Sequence, residues 1–152
     1  MTVIEPDGSP TSDARSRSVS TSPALWAGRV VGAGLLVWMG WIHLHLWSEG
    51  YKHIATVGPL FMANFVAAIT ATLVLLAVPT RRLVAAAALA GACLAVGTAL
   101  GLVLSINVGL FGFTDSWNAP FAHLSLAVEI TAGAVLLVTA AGALLRQRRE
   151  PL

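Results

Sequence analysis

The segment "WIHLHLWSEGYKHI", residues 41 to 54, ends the first of four long apolar runs and carries three of the chain's four histidines. A cluster of imidazoles with a carboxylate, a tyrosine and a lysine is unusual at the end of such a run. The environment of the apolar run therefore decides how the cluster is interpreted.

The composition predicts a membrane protein. Of 152 residues, 57% are apolar and 11% are charged, and the mean hydropathy is +0.80. A soluble domain is about 45–50% apolar and about 25% charged. The formal net charge of +2 does not indicate a nucleic-acid partner, because the charges flank the apolar runs instead of forming a basic stripe. The expected surroundings are a lipid bilayer.

Four apolar runs define the predicted fold. About 20 apolar residues in a helix cross the hydrocarbon core of a bilayer, and backbone groups in lipid must be paired internally. Short connections make sequential helices antiparallel neighbours. The sequence therefore predicts an all-α, integral membrane, antiparallel four-helix bundle, with spans at about 26–47, 54–78, 83–108 and 121–145.

The ends of the chain are polar. Residues 1–23 are rich in Ser, Thr, Pro, Asp and Arg and predict a disordered cytoplasmic N-terminal tail. Residues 24–146 form the predicted four-helix domain. Residues 147–152 form a short basic cytoplasmic tail.

The arginines predict the orientation. Eight basic residues lie on one side of the predicted bundle, and Lys52 lies alone on the other. The positive-inside rule then places both termini in the cytoplasm. The expected location of the protein is the cell membrane. The eight are Arg15, Arg17, Arg29, Arg81, Arg82, Arg146, Arg148 and Arg149.

Glycine spacing and one arginine carry further expectations. Gly28-x3-Gly32 and Gly97-x3-Gly101 are patterns that let membrane helices approach closely. Arg29 lies near enough to the end of its span for its side chain to reach the cytoplasmic headgroups.

Polar residues collect near the predicted outer face, whereas the cytoplasmic side has mainly arginines. We interpret the polar set as a candidate site. Its members are His43, His45, Glu49, His53, Asn64, Asn107, His123 and Glu129.

Glu129 is the most informative of these residues. A carboxylate in the hydrocarbon region costs about 2.5–3.5 kcal/mol on insertion scales and usually faces the bundle interior with a partner. His43 and His45 point to nearly opposite helix faces, so only one of them aims into the bundle. His43 and Glu129 lie at similar depths, which allows a contact between the first and fourth spans.

The histidines are also candidate haem or metal ligands, with His43 and His123 as the pair to consider. No CxxCH motif is present, so such a haem would be noncovalent. P-loop, GxSxG, HExxH and GxGxxG signatures are absent from the sequence, which does not favour an enzyme.

One segment resembles a known group of proteins. Residues 40–64, "GWIHLHLWSEGYKHIATVGPLFMAN", are similar to the first-loop region of small four-span membrane proteins of high-GC bacteria. In architecture alone the chain also resembles DoxX-like four-helix membrane proteins. The resemblance implies the four-span arrangement and no activity or site residue.

Three functions follow from the sequence as alternatives. The first is an accessory or scaffold protein of the cytoplasmic membrane that binds a membrane-protein partner or itself. The second is a proton-coupled or redox membrane protein that uses Glu129 and the histidines. The third is a small-solute transporter that works as an oligomer, because four spans alone make a narrow pathway.

Overall fold

Four long helices make up the part of the protein that the structure describes. The structure, a computed structural model, describes residues 22–148, and the predicted tails up to residue 21 and from residue 149 lie outside the described residues. The helices are α1 (Pro23–Glu49), α2 (Val57–Ala77), α3 (Arg81–Asn107) and α4 (Ala122–Arg148), and a single 3₁₀ turn, Tyr51–His53, follows α1. All four are long and apolar enough to cross a membrane. The chain is therefore a small multi-pass membrane protein with the predicted all-α bundle fold.

The helix ends follow local sequence signals. The Ser22 side chain accepts a hydrogen bond from the backbone N–H of Leu25, and Pro23 occupies the first turn of α1, where a missing N–H has no cost. Thr80 caps α3 in the same way through Leu83. α1 begins before the predicted span, and α4 runs to Arg148, so its last turn includes the first two residues of the predicted basic tail.

The bundle is held together by contacts between neighbouring helices. α1 packs on α2 and α4, and α3 packs on α4, while α2 and α3 contact each other sparsely. Leu36 of α1, Leu75 of α2 and Leu136 of α4 are completely buried at the centre. The outer surface carries many exposed apolar side chains, as lipid requires.

The two predicted glycine patterns have different roles. A Cβ at Gly32 would lie 2.6 Å from Cδ2 of Leu136, and one at Gly28 would collide with Thr139, so this pattern brings α1 against α4. At Gly97 and Gly101 nothing lies within 4 Å of the position of a Cβ. The expectation of a close helix contact is therefore wrong for the second pattern, whose glycines border open space.

Arg29 is buried and does not reach toward headgroups as expected. Its Nε donates to the Leu75 carbonyl at 3.0 Å, and its Nη2 donates to the carbonyls of Leu76 and Val78 at 2.7 and 3.0 Å. The last carbonyls of a helix have no partner within the helix. Arg29 supplies that partner for α2, so the hydrogen bonds of its guanidinium group join α1 to the end of α2.

The end of the bundle formed by residues 49–56 and 108–121, which has His53 and is flanked by His45 and His123, is called here the histidine-rich end. Tyr51 joins its two connections, because the ring stacks on Phe61 at 4.8 Å and meets Phe113 edge-on at 5.8 Å. The Tyr51 phenol also hydrogen-bonds Asp115. Leu110 and Phe113 exchange two backbone hydrogen bonds in a tight turn. The second connection is thus an ordered cap on the bundle.

Candidate functional site

His43 and Glu129 meet inside the bundle. Nε2 of His43 lies 3.9 Å from Oε1 of Glu129, and both side chains are almost completely buried. This is the contact between the first and fourth spans that their depths allow. Glu129 lies seven residues into α4, about 10 Å along the helix axis from its first residue, Ala122. A carboxyl group is therefore held deep in the membrane-spanning part of the protein beside an imidazole.

The backbone fixes the orientation of the His43 ring. Nδ1 lies 2.9 Å from the carbonyl oxygen of Met39, one turn earlier in α1. A carbonyl only accepts hydrogen bonds, so Nδ1 carries a proton and donates it. This leaves Nε2 as the nitrogen that faces Glu129. The ring also lies 5.1 Å from that of Phe61, which holds it from the side of α2.

Glu129 has one partnered and one unpartnered oxygen. Ser125, one turn earlier in α4, donates its hydroxyl to Oε1 at 2.9 Å. Oε2 is buried and has no hydrogen-bond partner. A buried polar atom without a partner costs free energy, and in a native protein it needs a reason.

A cavity adjoins this pair, and we call it the α2–α3 cavity. It has a volume of about 510 Å³, within the range of about 300–1,000 Å³ typical of small-molecule sites. Most of its lining is apolar, with Phe61, Phe113 and Phe121 among the larger side chains. His43 and Glu129 are the charged or chargeable groups that α1 and α4 present to it.

Three unpartnered polar atoms belong to residues that line this cavity. Besides Oε2 of Glu129, they are Oδ1 of Asn64 and Oγ of Ser105. The amide nitrogen of Asn64 donates to Oγ1 of Thr98 at 2.7 Å, and this bond between α2 and α3 leaves the amide oxygen unused. Unsatisfied oxygens from α2, α3 and α4 thus border one apolar space, as expected where a polar group of a ligand is to be held.

The cavity opens sideways. Its lining residues on α1 and α4, including His43 and Glu129, are buried, whereas Leu60 of α2 and Gly97 of α3 are exposed. The opening therefore lies between α2 and α3, whose mutual contact is sparser than that of the other adjacent helix pairs around the bundle, on the surface that faces lipid. Leu110 and Phe113 of the ordered cap line the end of the cavity nearest the histidine-rich end.

The other predicted site residues do not line the cavity. His45 stacks on Trp41 at 5.2 Å between nearly parallel rings, as expected for a histidine on the opposite face from His43. His123 stacks on Trp117 at 5.5 Å. The structure gathers three of the eight predicted residues, His43, Asn64 and Glu129, and leaves out His45, Glu49, His53, Asn107 and His123.

The predicted haem or metal pair is not formed. His123 and Glu129 are six residues apart on α4, roughly 240° around the helix, so a helix that turns Glu129 toward His43 turns His123 outward. Within residues 22–148, no three His, Cys, Asp or Glu side chains are grouped as metal ligands. The described residues do not fit a bis-histidine haem at this cavity, and no chemistry is assigned to one.

Four participating residues are not in the predicted site. Ser125 shares a helix face with Glu129 four residues later, a spacing visible in the sequence. Phe61, Thr98 and Ser105 have no such signal, because apolar and hydroxyl residues are frequent throughout these helices. Their roles appear only when α2 and α3 are placed beside each other.

Comparison of the chain with protein-family models, curated proteins and solved structures finds no match in any of the three.

Proposed function

We propose that this is a proton-coupled membrane protein in which His43 and Glu129 take up and release a proton beside the α2–α3 cavity. The observation that carries the proposal is the buried pair itself, with Nε2 of His43 3.9 Å from Oε1 of Glu129. A structural carboxyl group would use both oxygens in hydrogen bonds, whereas Oε2 of Glu129 has no partner and belongs to a residue that lines the cavity.

The pair holds one proton at a low energetic cost. A lone carboxylate or a lone imidazolium at this depth is strongly disfavoured. A protonated glutamic acid beside neutral His43, or a carboxylate beside its imidazolium, leaves the pair neutral overall. The proton passes between them when the gap closes to roughly 2.6–3.2 Å, or through one water molecule.

The proposed setting is the cell membrane, with both termini in the cytoplasm. Eight basic residues on one side against Lys52 on the other support this orientation. The cavity then lies toward the outer half of the membrane, next to the histidine-rich end. A proton reaching Glu129 from outside passes the cap formed by residues 108–121.

The test is infrared difference spectroscopy of the protein in liposomes during a pH titration. We expect a protonated-carboxyl band that changes in a single-proton step and is lost in Glu129→Gln. Glu49→Gln is the matched control, because Glu49 is an exposed carboxylate near the same end of the bundle. His43→Gln should shift the titration of the band, since it removes the partner that shares the proton.

Two results would contradict the proposal. One is a Glu129 carboxyl band that stays constant across the accessible pH range. The other is a titrating band that survives in Glu129→Gln and disappears in Glu49→Gln.

The accessory or scaffold role and the oligomeric transporter stay predictions. Exposed apolar side chains on all four helices suit a partner helix as well as they suit lipid, so they do not favour either role over the proton-binding site.

A further inference from the structure

We propose that the α2–α3 cavity binds a lipophilic ammonium ion, a primary amine on a small apolar body, whose positive charge replaces the proton of the His43–Glu129 pair. This inference names the ligand class for the proposed function and rests on it in one respect, the use of Glu129 as a shared site for proton and cation. The remaining steps depend only on the geometry of the cavity.

The hydrogen-bonding groups of the cavity select a donor. Oδ1 of Asn64 is an acceptor only, and Oε2 of an ionised Glu129 is an acceptor only. One of the two N–H donors of the Asn64 amide is used on Thr98, and the hydroxyl of Ser125 is used on Oε1 of Glu129. Oγ of Ser105 is the remaining unpartnered oxygen. An ammonium group, with three N–H donors and no acceptor, complements such a set.

The charge of the lining selects a cation over a neutral donor. Among the described residues that line the cavity there is no lysine, arginine or aspartate. An ionised Glu129 is thus without a fixed positive partner when His43 is neutral. In surroundings of low dielectric constant, a carboxylate gains far more from a cation than from a neutral hydroxyl group. Aromatic faces also attract ammonium groups, and Phe61, Phe113 and Phe121 line the space.

The depth of Glu129 and the sideways opening indicate a small molecule that arrives through lipid. Glu129 lies about 10 Å inside α4, below the level that the ammonium of a lipid headgroup occupies. Gly97 and Gly101 border the opening, and nothing lies within 4 Å of the place where their side chains would be. An apolar body fits between α2 and α3 at these glycines while its charged end meets the carboxylate.

Cation and proton exclude each other at the pair. The titratable groups lining the cavity are His43 from α1, Cys93 from α3 and Glu129 from α4, and α2 and the cap add none. When an ammonium ion pairs with the carboxylate, neutral His43 is the favoured form, because an imidazolium would place a second positive charge beside it. The shared proton leaves whether it started on Glu129 or on His43. One cation in and one proton out keeps the buried charge constant.

The experiment is isothermal titration calorimetry of the full chain in detergent with three probes of the same shape: phenylbutylammonium, phenylbutanol and phenylbutanoate. We expect the ammonium to bind at least about tenfold more tightly than the alcohol, a difference of about 1.4 kcal/mol, and the carboxylate not to bind. Repeating the titration in two buffers of different ionisation enthalpy measures the proton released, expected to approach one per cation. The ammonium affinity should fall as the pH falls.

Two variants and their controls keep the test specific. Glu129→Gln should abolish the preference for the ammonium over the alcohol, and Glu49→Gln should not. Gly101→Leu should fill the cavity and block all binding, whereas Gly34→Leu adds the same side chain at an exposed position that also has open space around it. Gly101→Leu does not alter a charge, so it tests the cavity even where Glu129→Gln disturbs folding.

Three outcomes would overturn the inference: equal binding of alcohol and ammonium, no binding of any probe, or an unchanged ammonium affinity in Gly101→Leu. The infrared titration distinguishes a failure of the ammonium-binding inference from a failure of the proposed proton-coupled function. A Glu129 band that titrates in a protein that does not bind ammonium rejects the ligand and keeps the proton site. Ammonium binding without release of a proton rejects the exchange and counts against the proton-coupled role.

Discussion

Arg29 and Glu129 are both buried within residues 22–148, and their surroundings differ. Arg29 gives three hydrogen bonds to carbonyls at the end of α2, so a structural role accounts for it. Glu129 is 1% exposed and leaves Oε2 without a partner. A buried charge is expensive unless its hydrogen bonds are satisfied. The unsatisfied oxygen therefore separates a candidate functional residue from a structural one.

Tyr51 gives a prediction at the same scale. Burial raises the pKa of its phenol, and the neighbouring Asp115, through its charge and its hydrogen bond, raises it further. The chain has one tyrosine, so the near-ultraviolet absorbance of phenolate reports this residue alone. We expect ionisation above the ordinary value of about 10, and Asp115→Asn should move the midpoint back toward that value.

The sign of the effect on stability follows from the raised pKa. The neutral phenol stabilises the fold fully below the ordinary pKa of tyrosine, and this contribution is lost as the pH rises through the raised pKa of the folded state. Tyr51→Phe is the control for the absorbance signal. A midpoint in the folded protein at or below that of free tyrosine would show that the contact with Asp115 does not form.

At the scale of elements, glycines decide how closely the segments approach. A Cβ at Gly58 would lie 2.8 Å from the carbonyl oxygen of Lys52 and 2.9 Å from that of Tyr51. These are backbone atoms and do not move independently. The first turn of α2 therefore packs directly on the 3₁₀ turn, which explains the glycine in the "VGPLF" segment at the start of α2.

Opposite effects on stability are expected from two Gly→Ala substitutions in helices. Gly58→Ala should lower the free energy of unfolding by about 1–3 kcal/mol, the range for overpacking. Gly34→Ala should leave it unchanged or raise it by up to about 1 kcal/mol, because alanine favours helix and open space surrounds Gly34. Thermal unfolding in one detergent compares the two. Equal midpoints for both variants would mean that the close approach at Gly58 is absent.

At the scale of the whole molecule, the sparse contact between α2 and α3 is the feature that matters most. Three adjacent helix pairs, α1–α2, α1–α4 and α3–α4, pack closely. Between α1 and α4, for example, Gly32 lies against Leu136. Between α2 and α3 the Asn64–Thr98 hydrogen bond crosses the gap, and the cavity lies beside it. The bundle is thus a closed frame on three sides with a lateral opening on the fourth.

The orientation of the bundle is tested by labelling with an impermeant maleimide on intact cells, with Cys93→Ser as the background. Ala55→Cys marks the histidine-rich end, and Pro79→Cys marks the connection between α2 and α3. We expect labelling of Ala55→Cys in intact cells, and of Pro79→Cys only after the cells are opened, because the positive-inside rule assigns the arginine-rich side to the cytoplasm. The reverse pattern would invert the proposed topology.

The sequence by itself determined the four membrane-spanning helices and the antiparallel bundle, because lipid demands long apolar helices whatever their neighbours are. It also indicated Glu129, since a carboxylate in an apolar run is costly in any arrangement, and placed it at the depth of His43. His45 facing away from His43 follows from helix period alone.

Only the tertiary structure decided which polar residues share a space. The rotation of each helix about its axis depends on packing, so His123 faces outward while Asn64, Ser105 and Glu129 line one cavity. The same dependence gave the two glycine patterns different roles, with Gly28 and Gly32 against α4 and Gly97 and Gly101 at an opening. Spacing along one helix specifies a face, but which neighbour that face meets is decided by the packing of all four helices.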